Sequence, residues 1–198
     1  MRMGLAARGL VIATNANDIL VRALAGGVYA PGPSHATLSP SMDIQVASNF
    51  ERALFEASDR DGAWVKSAMA AFAREPRLAL PPKVLAALRG RYQAFAFDDQ
   101  ATLATIAAVK EQTGRILDPH TAVAASAALA PALAASGPLV VLSTAHPAKF
   151  PDAVTKAIGA APPVPARLAG LKNLPERMNV LPNSSDGIKR FILSVLPS

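Results

Sequence analysis

Apolar and polar residues alternate along the chain in a pattern that favours helices separated by a few short strands. Residues 9–14 form an apolar, partly β-branched run that stops at polar residues 15–18, which predicts a buried strand and a loop. Apolar runs at residues 95–97 and 138–142 predict two further strands. Helical spacing and proline, glycine or capping boundaries predict helices at residues 19–24, 40–58, 62–73, 82–88, 99–114, from 119 with a break at Pro131, and 186–195.

This order of elements predicts the fold class. Strand, helix and strand in alternation are typical of a helix-rich α/β fold with a short parallel sheet. We expect residues 1–198 to form one compact unit, in which the proline-rich residues 162–198 are a wrapping tail and a last helix. Polar loops at the carboxyl ends of parallel strands carry function in such folds, so residues 15–18 and 143–146 should lie on the same side of one sheet.

Composition excludes several classes of protein. A chain of 198 residues with 51% hydrophobic and 17% charged residues can bury a core and is not disordered. Cysteine is absent and the three histidines lie far apart, so neither a disulfide framework nor a metal site is expected.

Charge and hydropathy argue against nucleic acid and membrane partners. The net charge is +6, yet the basic residues are scattered and never occur three in a row, whereas a nucleic-acid interface needs clustered basic residues. The longest apolar stretch is shorter than the roughly 20 residues that cross a bilayer, and no secretory signal follows Met1. We therefore expect a cytoplasmic protein.

Four segments in series resemble one enzyme family. They are ATNANDIL at residues 13–20, SPSMDI at 39–44 followed by SNFER at 48–52, DPHTA at 118–122 and LSTAHPAKF at 142–150. Together they resemble the carboxyl-terminal part of threonine synthase, and the similarity extends through nearly the whole chain.

The resemblance implies pyridoxal phosphate (PLP) as cofactor and the fold shared with the tryptophan synthase β subunit. It implies conversion of O-phospho-L-homoserine and water to L-threonine and phosphate in threonine biosynthesis, a lyase reaction on a small amino-acid substrate. The family's Schiff-base lysine and glycine-rich phosphate loop precede the part that this chain resembles. We therefore expect a fragment that is inactive alone and whose partner is the missing amino-terminal half.

Two alternatives remain open at this point. The chain could be a noncatalytic interaction protein derived from the truncated enzyme, with an exposed apolar surface that also allows a homo-oligomer. It could instead be a small-ligand-binding α/β module unrelated to amino-acid metabolism, if the four motifs do not converge in space.

The resemblance also points to cofactor-binding residues. Thr144 matches the position at which the family contacts the pyridine nitrogen, and Ser143 is the second candidate, because a hydroxyl can donate a hydrogen bond to a neutral ring nitrogen. The alternative is that both hydroxyls cap the helix that enters at Pro147. No residue of this chain is assigned a catalytic role, and Lys149 is rejected as a Schiff base because the aldehyde lies across the ring from the nitrogen.

Further polar residues are candidates for the substrate site. Asn15, Asn17 and Asp18 follow the first strand, and their alternative role is a helix cap and an Asx turn. Ser41 and Asp43 are polar groups at a helix start and, by resemblance, part of the site wall. His146 could assist proton transfer, or it could be a loop histidine hydrogen-bonded to backbone.

Overall fold

The computed structural model describes residue 4, residues 6–133 and residues 138–196. The strands are β1 (Leu10–Thr14), β2 (Val28–Tyr29), β3 (Leu78–Ala79) and β4 (Tyr92–Ala96). The helices are α1 (Ile19–Gly26), α2 (Phe50–Ala57), α3 (Gly62–Arg74), α4 (Pro82–Arg91), α5 (Asp99–Thr113), α6 (Pro119–Leu129), α7 (Pro151–Ile158) and α8 (Ser185–Val195). Single 3₁₀ turns cover Pro40–Met42, Pro131–Leu133, Pro147–Lys149, Ala166–Leu168 and Leu171–Asn173.

Two small sheets hold the strands together. β1 pairs with β4 in parallel, with Leu10 opposite Tyr92 and Thr14 opposite Ala96, while β2 and β3 form a short antiparallel pair. The predicted helix-rich α/β fold with a short parallel sheet is therefore confirmed.

Local signals placed most helix ends correctly. Asp98 and Asp118 cap α5 and α6 by accepting hydrogen bonds from backbone N–H groups of the first helical turn. α1 ends at Gly26, and its C-cap is Gly27, whose φ of 72° lies in the left-handed region that favours glycine. α2 begins at Phe50 rather than at the predicted residue 40, because Pro40–Met42 forms a separate 3₁₀ turn and irregular chain follows it.

One predicted strand is wrong. Residues 138–142 have irregular backbone, and the side chain of Val140 is 80% exposed. A strand requires a neighbour for its hydrogen bonds, and in the described part of the chain β1 and β4 pair only with each other. Residues 138–142 therefore have the apolar pattern of a strand but no partner strand in the described part of the chain.

The main core lies beneath the helices α1 to α4. The ring of Tyr29 lies between those of Phe50 and Phe72, with ring centroids 4.8 and 4.9 Å away, and Leu54 and Leu88 fill the remaining space. Burial raises the pKa of Tyr29 above its usual value, and its hydroxyl accepts the backbone N–H of Ala47 at 2.7 Å.

Helix α6 forms a second buried layer. Its alanine-rich surface packs against β1 and α5, and the hydroxyls of Thr105 and Ser126 form a buried hydrogen bond of 2.8 Å between α5 and α6. Small side chains allow this close approach, so α6 packs directly on β1 and α5.

The chain divides into two units, Met1–Pro163 and Val164–Ser198. The second unit coincides within two residues with the predicted tail and last helix, and none of its described side chains is buried. That the whole chain is one compact unit stays a prediction. Among the residues with described positions, no helix is long and apolar enough to cross a membrane.

Candidate functional site

The amino-terminal turn of α6 is built around one buried carboxylate. Asp118 is 1% exposed, and its Oδ1 accepts the backbone N–H groups of His120 at 2.9 Å and Thr121 at 3.3 Å. The same oxygen lies 3.1 Å from Nδ1 of His120, and the Thr121 hydroxyl donates to Oδ2. A carboxylate is favoured here because it meets unpaired helix N–H groups and the positive end of the helix dipole.

Two further hydrogen bonds leave this turn for two separate loops. The Thr121 hydroxyl oxygen accepts the backbone N–H of Thr144 at 3.1 Å, and Nε2 of His120 accepts the backbone N–H of Ser41 at 3.2 Å. Because Nε2 accepts, the ring proton of His120 lies on Nδ1 and is donated to Asp118. The turn therefore connects the loop that contains Ser41 with the loop that contains Thr144.

The loop after β1 is a second polar cluster. The side-chain amide of Asn15 donates to Asp43 at 2.7 Å and to the Thr37 hydroxyl at 2.8 Å, and its oxygen accepts the N–H of Asn17 at 2.9 Å in an Asx turn. Asn17 binds both backbone groups of His35, each at 2.9 Å. Asn15 and Asn17 are 1% and 2% exposed, so their hydrogen-bonding groups are used within the protein.

Asp43 and Asp18 behave differently although both were candidates for the substrate site. Asp43 accepts hydrogen bonds from Asn15, Asn17 and both the N–H and hydroxyl of Thr37. Asp18 precedes α1 without a side-chain cap and forms an exposed ion pair with Arg22 at 2.8 Å. The alternative of an Asx turn is thus confirmed at Asn15, whereas the alternative of a side-chain cap on α1 is wrong.

Within the described part of the chain, the hydroxyls of Ser143 and Thr144 are free. Both residues are exposed, and neither hydroxyl has a hydrogen-bond partner among the described residues. The turn that enters at Pro147 is capped instead by His146, whose Nδ1 accepts the N–H of Ala148 at 3.1 Å. The alternative in which the two hydroxyls act as caps is therefore wrong, and the backbone-bonded alternative for His146 is confirmed.

The hydroxyl of Ser41 is also exposed and unpaired among the described residues, while its backbone N–H is held by His120. An open cleft of about 380 Å³ lies beside the α6 turn, and its lining includes Asp118, Thr121, Ser143 and His146. The cleft therefore brings the cofactor-binding candidate Ser143 and the substrate-site candidate His146 next to the buried carboxylate.

The connection between the two predicted loops differs from the expected one. Residues 143–146 do not follow a strand of the β1–β4 sheet, so a shared sheet edge does not explain their placement. The link runs through His120 and Thr121, which lie in the DPHTA motif at residues 118–122 but were not among the predicted site residues. That motif, in the first turn of an otherwise alanine-rich helix, was the available signal.

Known proteins match this chain in sequence. Residues 121–192 match the family model described as the C-terminal part of threonine synthase. Threonine synthase of Pseudomonas aeruginosa is 44% identical over 191 residues, which cover 96% of this chain and 41% of the relative. Threonine synthase of Corynebacterium glutamicum is 34% identical over 201 residues, covering 98% of this chain and 42% of the relative.

Solved structures match the fold. PLP-bound threonine synthase from Brucella melitensis has a TM-score of 0.86 and 44% identity, and the match covers 96% of this chain and 41% of that one. Yeast threonine synthase has a TM-score of 0.84 and 30% identity, covering 97% and 43%. The class is thus an α/β fold shared with a PLP-bound enzyme.

Within that class, nearly the whole chain matches the carboxyl-terminal part of the threonine synthase family. The resemblance drawn from the four motifs is confirmed. The chain spans about two fifths of the length of the relatives that it matches.

Proposed function

We propose that this chain is the carboxyl-terminal part of a PLP-dependent threonine synthase, which converts O-phospho-L-homoserine and water to L-threonine and phosphate. The amino-terminal part of the enzyme is its partner, and a cytoplasmic location belongs to the same proposal. The observation that carries the proposal is the free hydroxyl of Thr144, on a backbone held by Thr121, in a chain that matches a PLP-bound structure.

The hydroxyls at residues 143–144 fit the ring end of the cofactor. A threonine or serine hydroxyl can donate a hydrogen bond to a neutral pyridine nitrogen, and these two hydroxyls have no competing partner among the described residues. When bound, PLP supplies the electron sink of the reaction. Thr144 would hold its ring nitrogen, with Ser143 as the second candidate.

The other candidate residues differ in whether their side chains keep hydrogen-bonding atoms free for a ligand. Ser41 keeps a free hydroxyl for the substrate, and His146 keeps its Nε2 atom for a substrate group, whereas Asn15, Asn17 and Asp43 hold the loop that carries Ser41. We assign Asp18 to the rim of the site because its carboxylate is paired with Arg22 at the surface.

The chain alone is expected to lack threonine synthase activity. A contact to the ring nitrogen is one hydrogen bond of roughly 1 kcal/mol, which does not retain a cofactor without further anchors. The test is to incubate the purified chain with PLP, reduce it with borohydride and map any pyridoxyl label by mass spectrometry, with threonine formation measured in parallel. One stoichiometric label together with turnover would overturn the assignment of the missing catalytic groups to the partner.

The partner is tested directly by complementation. Adding the amino-terminal part of the P. aeruginosa relative, as a second chain or by fusion, should generate a PLP site and threonine formation. The full-length P. aeruginosa relative, which is not fused to this chain, serves as the positive control. A folded fusion that binds no PLP would contradict the proposal.

A noncatalytic interaction protein is the second candidate function. Its supporting observation is the exposed apolar run at residues 139–142, where Val140 and Leu142 are 80% and 72% exposed. The same surface could form a homo-oligomer of the chain. Sedimentation of the chain alone and of the chain mixed with the amino-terminal part distinguishes a homo-oligomer from a complex of the two parts. A stable complex that binds no PLP supports the noncatalytic function.

A further inference from the structure

The hydrogen bonds at the start of α6 do more than cap a helix. We propose that Asp118, His120 and Thr121 are positioning residues that hold the Ser41 loop and the Thr144 loop in place at the proposed cofactor site; this inference rests on the proposed function. No part of that function has so far required these three residues. They are 1%, 8% and 3% exposed, so they act from inside the protein.

A single hydrogen bond tethers Thr144 to α6 within the described chain. Among the described residues, the bond from the N–H of Thr144 to the Thr121 hydroxyl is the one hydrogen bond that residues 138–145 make to the rest of the chain. Every residue of this segment except Ala145 is exposed, so packing adds little restraint. The place of the Thr144 side chain is therefore set largely by Thr121.

The Thr121 hydroxyl has a fixed direction. Its single proton is donated to Oδ2 of the buried Asp118, which leaves the oxygen as an acceptor for the N–H of Thr144. Asp118 itself is fixed by two backbone N–H groups of the helix. A rigid helix turn, rather than a flexible loop, thus sets the tether.

His120 provides a second connection, to the Ser41 loop. Its Nε2 accepts the N–H of Ser41 at 3.2 Å, and its ring lies against Phe150 with centroids 4.6 Å apart. Ser39, two residues before Ser41, is bound by Asn15. The histidine therefore fixes the Ser41 loop and the end of the Thr144 motif relative to one carboxylate.

These hydrogen bonds matter because a contact to a cofactor depends on the precise placement of the contacting group. Displacing a binding group by about 1 Å can remove most of its effect, and sites are made accurate by the groups that support the contacting residues. The contacting hydroxyl of Thr144 is exposed, so its accuracy must come from its backbone. Thr121 supplies that restraint.

The tether is tested first in the chain itself. Amide hydrogen exchange followed by NMR should show slower exchange, relative to intrinsic rates, at Thr144 than at the neighbouring Ser143 and Ala145. In the Thr121→Val variant, which keeps the shape but removes the hydroxyl, exchange at Thr144 should become about tenfold faster. Thr121→Ser is the matched control and should retain the protection, and the amide of Ile106 in α5 should be unchanged in both.

Two results would overturn the tether. One is equal protection of Thr144 and its neighbours in the unsubstituted chain, a measurement that does not depend on whether any variant folds. The other is unchanged Thr144 exchange in a folded Thr121→Val variant.

The consequence for the cofactor is tested in the fusion with the amino-terminal part of the P. aeruginosa relative. Thr121→Val should weaken PLP binding about tenfold, measured by cofactor absorbance and fluorescence, whereas Thr121→Ser should remain within about twofold. If the unsubstituted fusion binds no PLP, the proposed function is contradicted. The hydrogen-exchange experiment on the chain itself still tests the bond between Thr121 and Thr144. If it binds PLP and Thr121→Val binds equally well, the positioning role fails and the proposed function stands.

Discussion

The loop after β1 and the loop at residues 143–146 use their polar groups in opposite ways. In the first, Asn15 and Asn17 are almost fully buried and their side-chain amides bind Thr37, Asp43 and His35. In the second, the hydroxyls are exposed and unpaired among the described residues, and one backbone bond to Thr121 holds the segment. Both loops nevertheless carry motifs of the same family.

This difference separates two roles that residue type alone does not distinguish. A buried amide whose donors and acceptors are all used serves the structure, because removing it leaves its partners unsatisfied. A free hydroxyl on a fixed backbone retains its capacity for a ligand. Spare hydrogen-bonding capacity is therefore the better guide to ligand contact in this protein.

The largest effect is expected at Asn15. Asn15→Leu leaves the acceptors of Ser39 and Asp43 and the N–H of Asn17 without this partner, and each buried unsatisfied group costs about 1–3 kcal/mol. The free energy of unfolding should fall by about 3 kcal/mol in urea titration. Ser41→Ala on the neighbouring loop is the control and should change it by less than about 0.5 kcal/mol. A loss below about 1 kcal/mol for Asn15→Leu would remove the contrast between the loops.

A pair of matched substitutions sharpens the comparison. Asp43→Asn removes a carboxylate that accepts four hydrogen bonds and should reduce the free energy of unfolding by about 2 kcal/mol. Asp18→Asn removes only the exposed partner of Arg22 and should cost less than about 1 kcal/mol. Denaturant titration of both variants checks the order, and equal losses would contradict it.

A smaller effect is expected at His146. His146→Ala removes the side-chain acceptor of the Ala148 N–H in an exposed turn and should cost about 1 kcal/mol of unfolding free energy. His146→Asn preserves a side-chain acceptor and should recover most of the loss. If the alanine variant is as stable as the unsubstituted chain, the cap contributes nothing to folding.

The smallest effect on stability is expected at the free hydroxyls. Thr144→Val and Ser143→Ala should each change the free energy of unfolding by less than about 0.5 kcal/mol, because no described protein group loses a partner. In the fusion with an amino-terminal part, Thr144→Val should nevertheless weaken PLP binding. A stability loss above about 1 kcal/mol would show that the hydroxyl serves the fold.

The sequence predicted those features that depend on neighbours along the chain. Asp98 and Asp118 act within a few residues of themselves, so the starts of α5 and α6 could be placed from sequence. The strand at residues 138–142 was predicted wrongly because a strand also depends on a distant partner. The same limit hid the positioning residues, since Ser41 and His120 are 79 positions apart.

The candidate site was predicted only in its parts. The motifs indicated Thr144 and Asn15, but residue types could not show that the second is used internally and the first is free. That distinction rests on Asp43 and Thr121, which lie 28 and 23 positions away from Asn15 and Thr144 respectively.

The parallel pairing of β1 with β4 also determines when the protein can form during synthesis. Thr14 reaches Phe95 across 81 positions of the chain, and contacts of such separation form slowly because the entropy of loop closure must be overcome first. At about 5–20 residues per second, a ribosome needs roughly 4 to 16 s to make the intervening chain. Throughout that interval β1 is an apolar nascent segment without its strand partner.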